Sequence, residues 1–250
     1  MVWVIAAREL RSLFLSPLAW SVLAVIQAIL AYLFLGQVDL YLTLQPRLAA
    51  MPGAPGVTEV IVTPLLGNAA VVLLLVIPLL TMRLIAEERR NQTLPLLFSA
   101  PVTMTQIVLG KYLGILGFLG VMLGLILLMP LSLLAGGSLD WGLVASGFMA
   151  LGLLLAAFAS AGLYMSTLTR QPTVAAVSGF GLLLLLWILD WGARGEEQSS
   201  PLLAYLSVLR HYESLLEGVF KSSDVIYYLL FIVTFLVLSV RRLDADRLPH

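Results

Sequence analysis

Residues 112–139, YLGILGFLGVMLGLILLMPLSLLAGGSL, and residues 141–169, WGLVASGFMALGLLLAAFASAGLYMSTLT, contain no charged side chain. Each stretch exceeds the roughly 20 apolar residues that an α-helix needs to cross the hydrocarbon core of a bilayer. Between them lies only Asp140, which follows a short segment that begins with two glycines. The two stretches therefore predict a pair of antiparallel transmembrane helices joined by a very short turn.

The whole chain is poor in charge. Of its 250 residues, 60% are hydrophobic and 11% are charged, whereas a soluble domain has roughly 25% charged residues. So few charges cannot cover a water-exposed globule of this size, and the bilayer must solvate most of the surface. The formal net charge is zero, which provides no basic patch for a nucleic acid. The absence of cysteine excludes disulfides and thiolate metal sites.

Six stretches have the composition of membrane spans. They cover about residues 17–38, 60–82, 112–135, 141–169, 172–190 and 224–241. The last is short, and its charged flanks must snorkel to the interface for it to cross. The first is too long for a signal peptide and has no small-residue cleavage site after it, so we expect it to be retained. Without polar alternation in ten-residue units, spanning strands are excluded. We predict an all-α polytopic membrane protein with a single transmembrane domain over residues 1–250.

The basic residues predict the orientation of these spans. With the N-terminus inside, ten of the fourteen Lys and Arg residues fall in inner segments and four in outer loops. The inner ones are Arg8, Arg11, Arg83, Arg89, Arg90, Lys111, Arg170, Arg241, Arg242 and Arg247, and the outer ones are Arg47, Arg194, Arg210 and Lys221. We therefore predict a multi-pass protein of the bacterial inner membrane with both termini in the cytoplasm.

The N-terminal residues 1–15 predict an amphipathic helix in the cytoplasmic interface. One side of a helical wheel carries apolar residues and the other carries polar ones. The apolar side comprises Val2, Trp3, Ala6, Ala7, Leu10, Leu13 and Phe14, and the polar side comprises Arg8, Arg11 and Ser12. The alternative is a simple positively charged flank to the first span.

Two outer segments differ in character. Residues 36–59 contain several prolines and glycines and predict an irregular loop. Residues 190–224 instead carry helical periodicity, which predicts re-entrant or interfacial helices. The apolar face comprises Leu202, Leu206, Leu209, Tyr212, Leu216 and Phe220, and the charged face comprises Arg210, Glu213, Glu217 and Lys221. The alternative is an ordinary surface helix.

The third span has a line of glycines at Gly110, Gly114, Gly117, Gly120 and Gly124. Small residues at this spacing allow helices to approach closely. We expect them to pack within one subunit, and a seam between two copies is the alternative.

The inner segment 83–111, RLIAEERRNQTLPLLFSAPVTMTQIVLGK, has the densest charge of the chain, followed directly by an apolar patch. A plain loop does not need Leu-Pro-Leu-Leu-Phe exposed to water, whereas a helix that docks on a partner protein explains both features. The alternative is a solvated loop that stops membrane transfer. We expect docking through Glu87, Glu88, Arg89, Arg90, Thr93, Leu94, Leu97 and Phe98. Reversing Glu87 and Glu88 to Lys is expected to weaken docking without disturbing insertion.

Familiar catalytic motifs are missing. The sequence has no phosphate-binding loop of the Walker A type, no HExxH and no GxSxG. Between their end residues the apolar stretches contain no Asp, Glu, Lys, Arg or His, whereas gradient-coupled carriers usually place such a residue near the middle of the membrane. Active transport would therefore need energy from another protein. This makes an intramembrane enzyme the weakest of the alternatives.

The run AEERRNQTLPLLFSAPVTMTQIVLGKYLG and the opening ARELRSLFLSPLAW resemble ABC type-2 permeases, in particular the branch related to gliding-motility and nitrous-oxide-reductase-maturation permeases. The resemblance implies a connecting helix at the N-terminus, six spans and a coupling helix at about 87–99 that sits in a groove of a separate ATPase. Members often have an acidic residue where this chain has Pro95, so a kink or an early end of that helix is expected.

The resemblance further implies a non-catalytic exporter subunit, with ATP and Mg bound by the partner ATPase and no cofactor bound by this chain. The expected partners are an ABC ATPase dimer, a second permease copy, membrane lipids and a periplasmic accessory protein, with no nucleic acid. The alternative function is an ATP-driven mechanotransmission or scaffold complex that acts on an envelope partner without passing a substrate. The substrate itself stays open between lipid, polysaccharide, peptide and drug.

Overall fold

The structure is a computed structural model that describes residues 1–48, 53–93, 102–136, 138–194 and 205–247. Within these ranges the regular structure is helical. The α-helices are α1 Val2–Leu15, α2 Pro17–Leu48, α3 Thr63–Thr81, α4 Ala86–Arg90, α5 Met104–Ser132, α6 Trp141–Leu168, α7 Pro172–Arg194, α8 Val208–Leu216 and α9 Ser222–Arg247. A π-helical turn, Thr58–Val62, precedes α3, and a 3₁₀ turn, Leu133–Ala135, follows α5.

Six of the helical segments are long and apolar enough to cross a membrane. They contain α2, α3, α5, α6, α7 and α9, which confirms the predicted all-α fold with six spans. Several helices extend past the predicted stretches. In particular, α5 begins at Met104, where Thr103 and Gln106 form a capping box, so Lys111 lies inside the helix rather than before it.

The predicted irregular loop over residues 36–59 is wrong in its first half, because α2 continues to Leu48. Gly36 is the only strong helix-weakening residue before Pro46, and one glycine costs a helix only about 1 kcal/mol. The prolines and glycines that signalled a loop are concentrated after residue 45. The first span therefore projects well past its apolar stretch.

Helix α6 is the centre of the bundle, and it packs against α3, α5, α7, α8 and α9. Its small residues permit this crowding. A Cβ atom added at Gly162 would lie 2.9 Å from Thr81 Cβ on α3, and one at Gly147 would lie 2.6 Å from a Leu66 methyl group. Both distances are too short for real atoms, so α3 and α6 approach each other as closely as glycine allows.

The glycine line of α5 packs against α1, as expected for contacts within one subunit. Added Cβ atoms at Gly110 and Gly114 would lie 2.6 Å from Ile5 Cβ and Glu9 Cβ respectively. A Cβ atom added at Gly120 or Gly124 would have no atom of the described residues within 4 Å. The N-terminal helix is thus held tightly along the first turns of α5.

Candidate coupling site

Helix α4 is only five residues long and cannot be stable by itself, since isolated short helices are marginal in water. A buried hydroxyl on α6 fixes its beginning. Ser166 Oγ accepts hydrogen bonds from the backbone N–H groups of Ile85 at 3.0 Å and Ala86 at 2.9 Å, and it donates to the Met82 carbonyl at 3.0 Å. One side chain of the central helix thereby sets the path of the chain from α3 into α4.

The end of α4 is equally defined. Gln92 adopts a left-handed backbone conformation with φ of 57°, and the Thr93 N–H donates to the Glu88 carbonyl at 3.0 Å. A left-handed residue after the last turn is a common helix terminator. The helix expected at about 87–99, with a kink or an early end, is confined in the described residues to Ala86–Arg90, and Gln92 ends it. The predicted docking residues Leu94, Leu97 and Phe98 lie outside the described residues.

A buried lysine connects three helices beside α4. Lys111 of α5 is 5% exposed, and its Nζ lies 3.0 Å from Glu9 Oε2 of α1 and 2.9 Å from Glu88 Oε1 of α4. Charge-assisted hydrogen bonds of this length are the strong ones. Both carboxylates depend on this one cation, since removing Lys111 would leave Glu9 and Glu88 without it.

A second ion pair connects α4 to the C-terminal helix. Arg89 is bonded to Asp246 of α9, which also lies 3.7 Å from Arg242 on its own helix. Arg89 is largely buried, with a side-chain exposure of 11%. Helix α4 is thus bound to α1 and α5 through Glu88 and to α9 through Arg89.

These contacts divide the predicted docking residues into two groups. Glu88 and Arg89 face other helices of the same chain, whereas Arg90 and Thr93 are exposed. Glu87 is half-buried and lines a cleft of about 730 Å³ between α1 and α4, together with the basic residues Arg8, Arg83 and Lys111. Glu88 contacts Lys111 of α5, so reversing its charge would also affect a spanning helix, and undisturbed insertion of that variant stays a prediction.

The predicted interfacial helix is present as α1, and it is more firmly packed than a helix lying on a membrane. Of its predicted residues, Trp3, Arg8 and Arg11 are exposed, and Leu10 and Phe14 are half-buried. The Phe14 ring lies 5.3 Å from the Phe118 ring of α5. Trp3, assigned to the apolar side of an interfacial helix, is 77% exposed. The side of α1 that packs on α5 is formed by Ile5, Ala6 and Glu9.

Sequence reasoning missed Glu9, Ser166 and Asp246 as members of this site. Glu9 could have been noticed from the sequence, because it is the only acidic residue among the first 38. Nothing in the sequence distinguishes Ser166, because serine is common in transmembrane helices. Its three hydrogen-bond partners are backbone groups of a turn that the sequence does not predict. Asp246 is 157 positions from Arg89, and only the fold brings them together.

The described residues contain no group of three or more His, Cys, Asp or Glu side chains that could hold a metal ion. Six spans, one of which is the central helix α6, together with a short helix fixed by ion pairs at one end of the bundle, define a polytopic helical membrane subunit.

The chain belongs to the ABC-2 transporter family: the family described as ABC-2 family transporter protein matches residues 3–248. It is therefore a permease component of an ABC transporter and a multi-pass membrane protein. The family suggests a non-catalytic membrane subunit and implies an ABC ATPase partner in general. The match is to the family as a whole, so membership of the branch related to gliding-motility and nitrous-oxide-reductase-maturation permeases stays a prediction. A comparison with curated proteins gives no significant match.

Proposed function

We propose that this chain is the permease subunit of an exporter in a bacterial inner membrane, driven by a separate ATPase that docks on residues 83–111. The observation that carries the proposal is the attachment of α4 to α1, α5 and α9 through Glu88 and Arg89. A force applied to the exposed end of α4 reaches the spans α5 and α9 directly, and it reaches the N-terminal helix α1 through Lys111. Ser166 extends this attachment to the central helix α6.

In this mechanism ATP and Mg bind to the partner, and closure of the ATPase dimer displaces α4. Because packed helices move as rigid bodies, small shifts at such a contact become rotations of whole elements. The displacement would open a path between two permease copies. This chain contributes the rigid connection from docking surface to spans.

A mechanotransmission role on an envelope partner is the second candidate. The same connection from α4 to α9 would transmit force whether or not a substrate passes. Transport of labelled lipid, sugar or peptide into vesicles distinguishes the two, since a force-transmitting complex would hydrolyse ATP there without moving any of them.

The first prediction concerns orientation. The ion pairs place Glu9, near the N-terminus, and Asp246, near the C-terminus, on the same side as α4, and the excess of basic residues indicates that this side is cytoplasmic. A reporter active only in the periplasm, fused after His250, should be silent, and a cytoplasmic reporter should be active. The reverse pattern would contradict the orientation.

The second prediction concerns assembly. One chain supplies six spans, and the outer surface of α5 beyond its contact with α1, at Gly120 and Gly124, has space for close approach of another helix. We expect two identical permeases and two ATPases in the purified complex, measured as its mass by light scattering. A coupled, active complex with one copy of each would contradict this.

The third prediction concerns docking. Replacing Leu97 and Phe98 together by Ser should remove the apolar anchors and reduce ATPase binding at least about tenfold, because buried anchors dominate interface energies. The matched control is Val219→Ser with Phe220→Ser, an exposed pair of the same kind after α8. Both proteins should accumulate in membranes. Co-purification of the ATPase measures the effect, and equal recovery with both variants would refute the docking assignment.

A further inference from the structure

The end of the bundle opposite α4 carries a buried polar cluster that the coupling function does not use. Helix α8 begins at Ser207, whose hydroxyl accepts a hydrogen bond from the Arg210 N–H at 3.3 Å, and ends before Gly218, with φ of 79°. His211 of α8 lies with its Nδ1 2.7 Å from Asp224 Oδ1 at the start of α9 and its Nε2 3.0 Å from the Tyr205 carbonyl. Its ring stacks on Tyr227, with centroids 4.1 Å apart.

A pocket of about 400 Å³ opens beside this cluster, and Arg210, Ser214, Lys221, Ser223 and Asp224 line it. Asp224 is only 4% exposed, yet its Oδ2 atom has no hydrogen-bond partner among the described residues. The buried Ser214 Oγ atom also has no hydrogen-bond partner among the described residues. Burying a polar atom without a hydrogen-bond partner is unfavourable, so two such atoms in one pocket indicate a ligand that supplies the missing hydrogen bonds.

The chemistry of the lining limits what that ligand can be. An ionised carboxylate oxygen only accepts, so Asp224 Oδ2 requires a donor, and hydroxyl groups can serve both it and Ser214. Arg210 and Lys221 add two positive charges at the exposed side of the pocket. Both ring nitrogens of His211 have partners within the protein, Asp224 Oδ1 and the Tyr205 carbonyl. Among the lining residues, Arg210 and Lys221 outnumber the single carboxylate of Asp224, and this excess of cations favours an anion.

We propose that this pocket binds a phosphate ester that carries free hydroxyl groups, the chemistry of a phosphatidylglycerol headgroup. The phosphate interacts with Arg210 and Lys221, and the hydroxyl groups donate to Asp224 Oδ2 and bond to Ser214 Oγ. A zwitterionic headgroup fits less well, because its ammonium would add a third positive charge beside Arg210 and Lys221. This inference is independent of the ATPase and of the direction of transport.

The test uses the full-length chain, delipidated in maltoside detergent and titrated by native mass spectrometry. The probes are short-chain phosphatidylglycerol, phosphatidic acid and phosphatidylethanolamine, together with glycerol 1-phosphate. We expect one equivalent of phosphatidylglycerol to bind, and binding should weaken at least about tenfold when Arg210 and Lys221 are both changed to Gln. The matched control is Arg47→Gln, which removes an exposed arginine from the end of α2, outside the pocket.

Each outcome is decisive. Selective loss in the double variant, with Arg47→Gln binding like the parent, supports the site, and a single Lys221→Gln variant gives the same answer if the double variant is unstable. Tighter binding of glycerol 1-phosphate than of the lipid supports the same chemistry and assigns a soluble source. Equal binding of phosphatidic acid, which lacks the hydroxyl groups, overturns the proposal. The proposal is also overturned if the protein prefers phosphatidylethanolamine, or if Arg47→Gln loses as much phosphatidylglycerol binding as the double variant.

Discussion

Lys111→Met is expected to lower the stability of the folded permease by about 3–5 kcal/mol, the usual cost of breaking a buried ionic group by removing one partner. Methionine matches the length of the lysine side chain, so the loss is not a packing defect. It leaves Glu9 and Glu88 facing each other, partly buried and without their shared cation. The measurement is thermal unfolding in detergent, together with accumulation in membranes.

A triple variant supplies the control for Lys111. Changing Glu9 and Glu88 to Gln in the Lys111→Met background removes both unpaired charges, and replacing a whole buried ionic group by neutral residues is often tolerated. Most of the lost stability should return. The rescued protein would still lack the ionic connection between α1, α4 and α5, so its coupling to ATP hydrolysis tests the proposed transmission path. If Lys111→Met alone melts at the same temperature as the parent protein, the ionic group of Glu9, Lys111 and Glu88 contributes little to stability.

Tyr212→Ala is expected to detach α8 from the bundle and to cost about 3–5 kcal/mol, as for other large buried aromatic residues. Tyr212 is 1% exposed, and its hydroxyl donates to the Leu66 carbonyl of α3 at 2.8 Å. Burial raises the pKa of the Tyr212 phenol, so the side chain remains a neutral donor at physiological pH. Hydrogen exchange over residues 205–217 should rise together with the loss of stability.

Two further variants separate the contributions of Tyr212. Tyr212→Phe keeps the ring and removes only the hydrogen bond, so it should cost about 0.5–1.5 kcal/mol. Tyr32→Ala, on a 78% exposed tyrosine of α2, should leave melting near the parental value. A Tyr212→Ala protein that melts like Tyr32→Ala would contradict the packing of α8 described above.

The number and type of the long helices could be predicted from the sequence, because hydrocarbon thickness and the need to pair every backbone group leave few alternatives. Their ends could not, since helix caps and single glycines decide them. The α8 region illustrates this. Leu209, Tyr212 and Leu216 are buried as the predicted face requires, but Leu206 and Phe220 are exposed because Ser207 and Gly218 end the helix between them.

The candidate site was predictable only in part for a related reason. Charge density pointed to residues 87–90, and these residues do lie in a short helix held against the bundle. Which of these charges face inward depends on partners at Glu9, Lys111 and Asp246, on three other helices. The His211–Asp224 pair could not be predicted either. The sequence pattern of α8 indicated one apolar face and one charged face, and His211 was assigned to neither.

The bond between Arg89 and Asp246 has a consequence for biogenesis. Its two residues are separated by 157 positions, and the second stands in the last turn of α9. The ribosome therefore makes all earlier spans before this bond can form. Until the sixth span has entered the membrane, α4 is held by Ser166 and Lys111 but lacks its attachment to α9. Under the proposed function, a chain without its sixth span would offer the ATPase an α4 that transmits no force to α9.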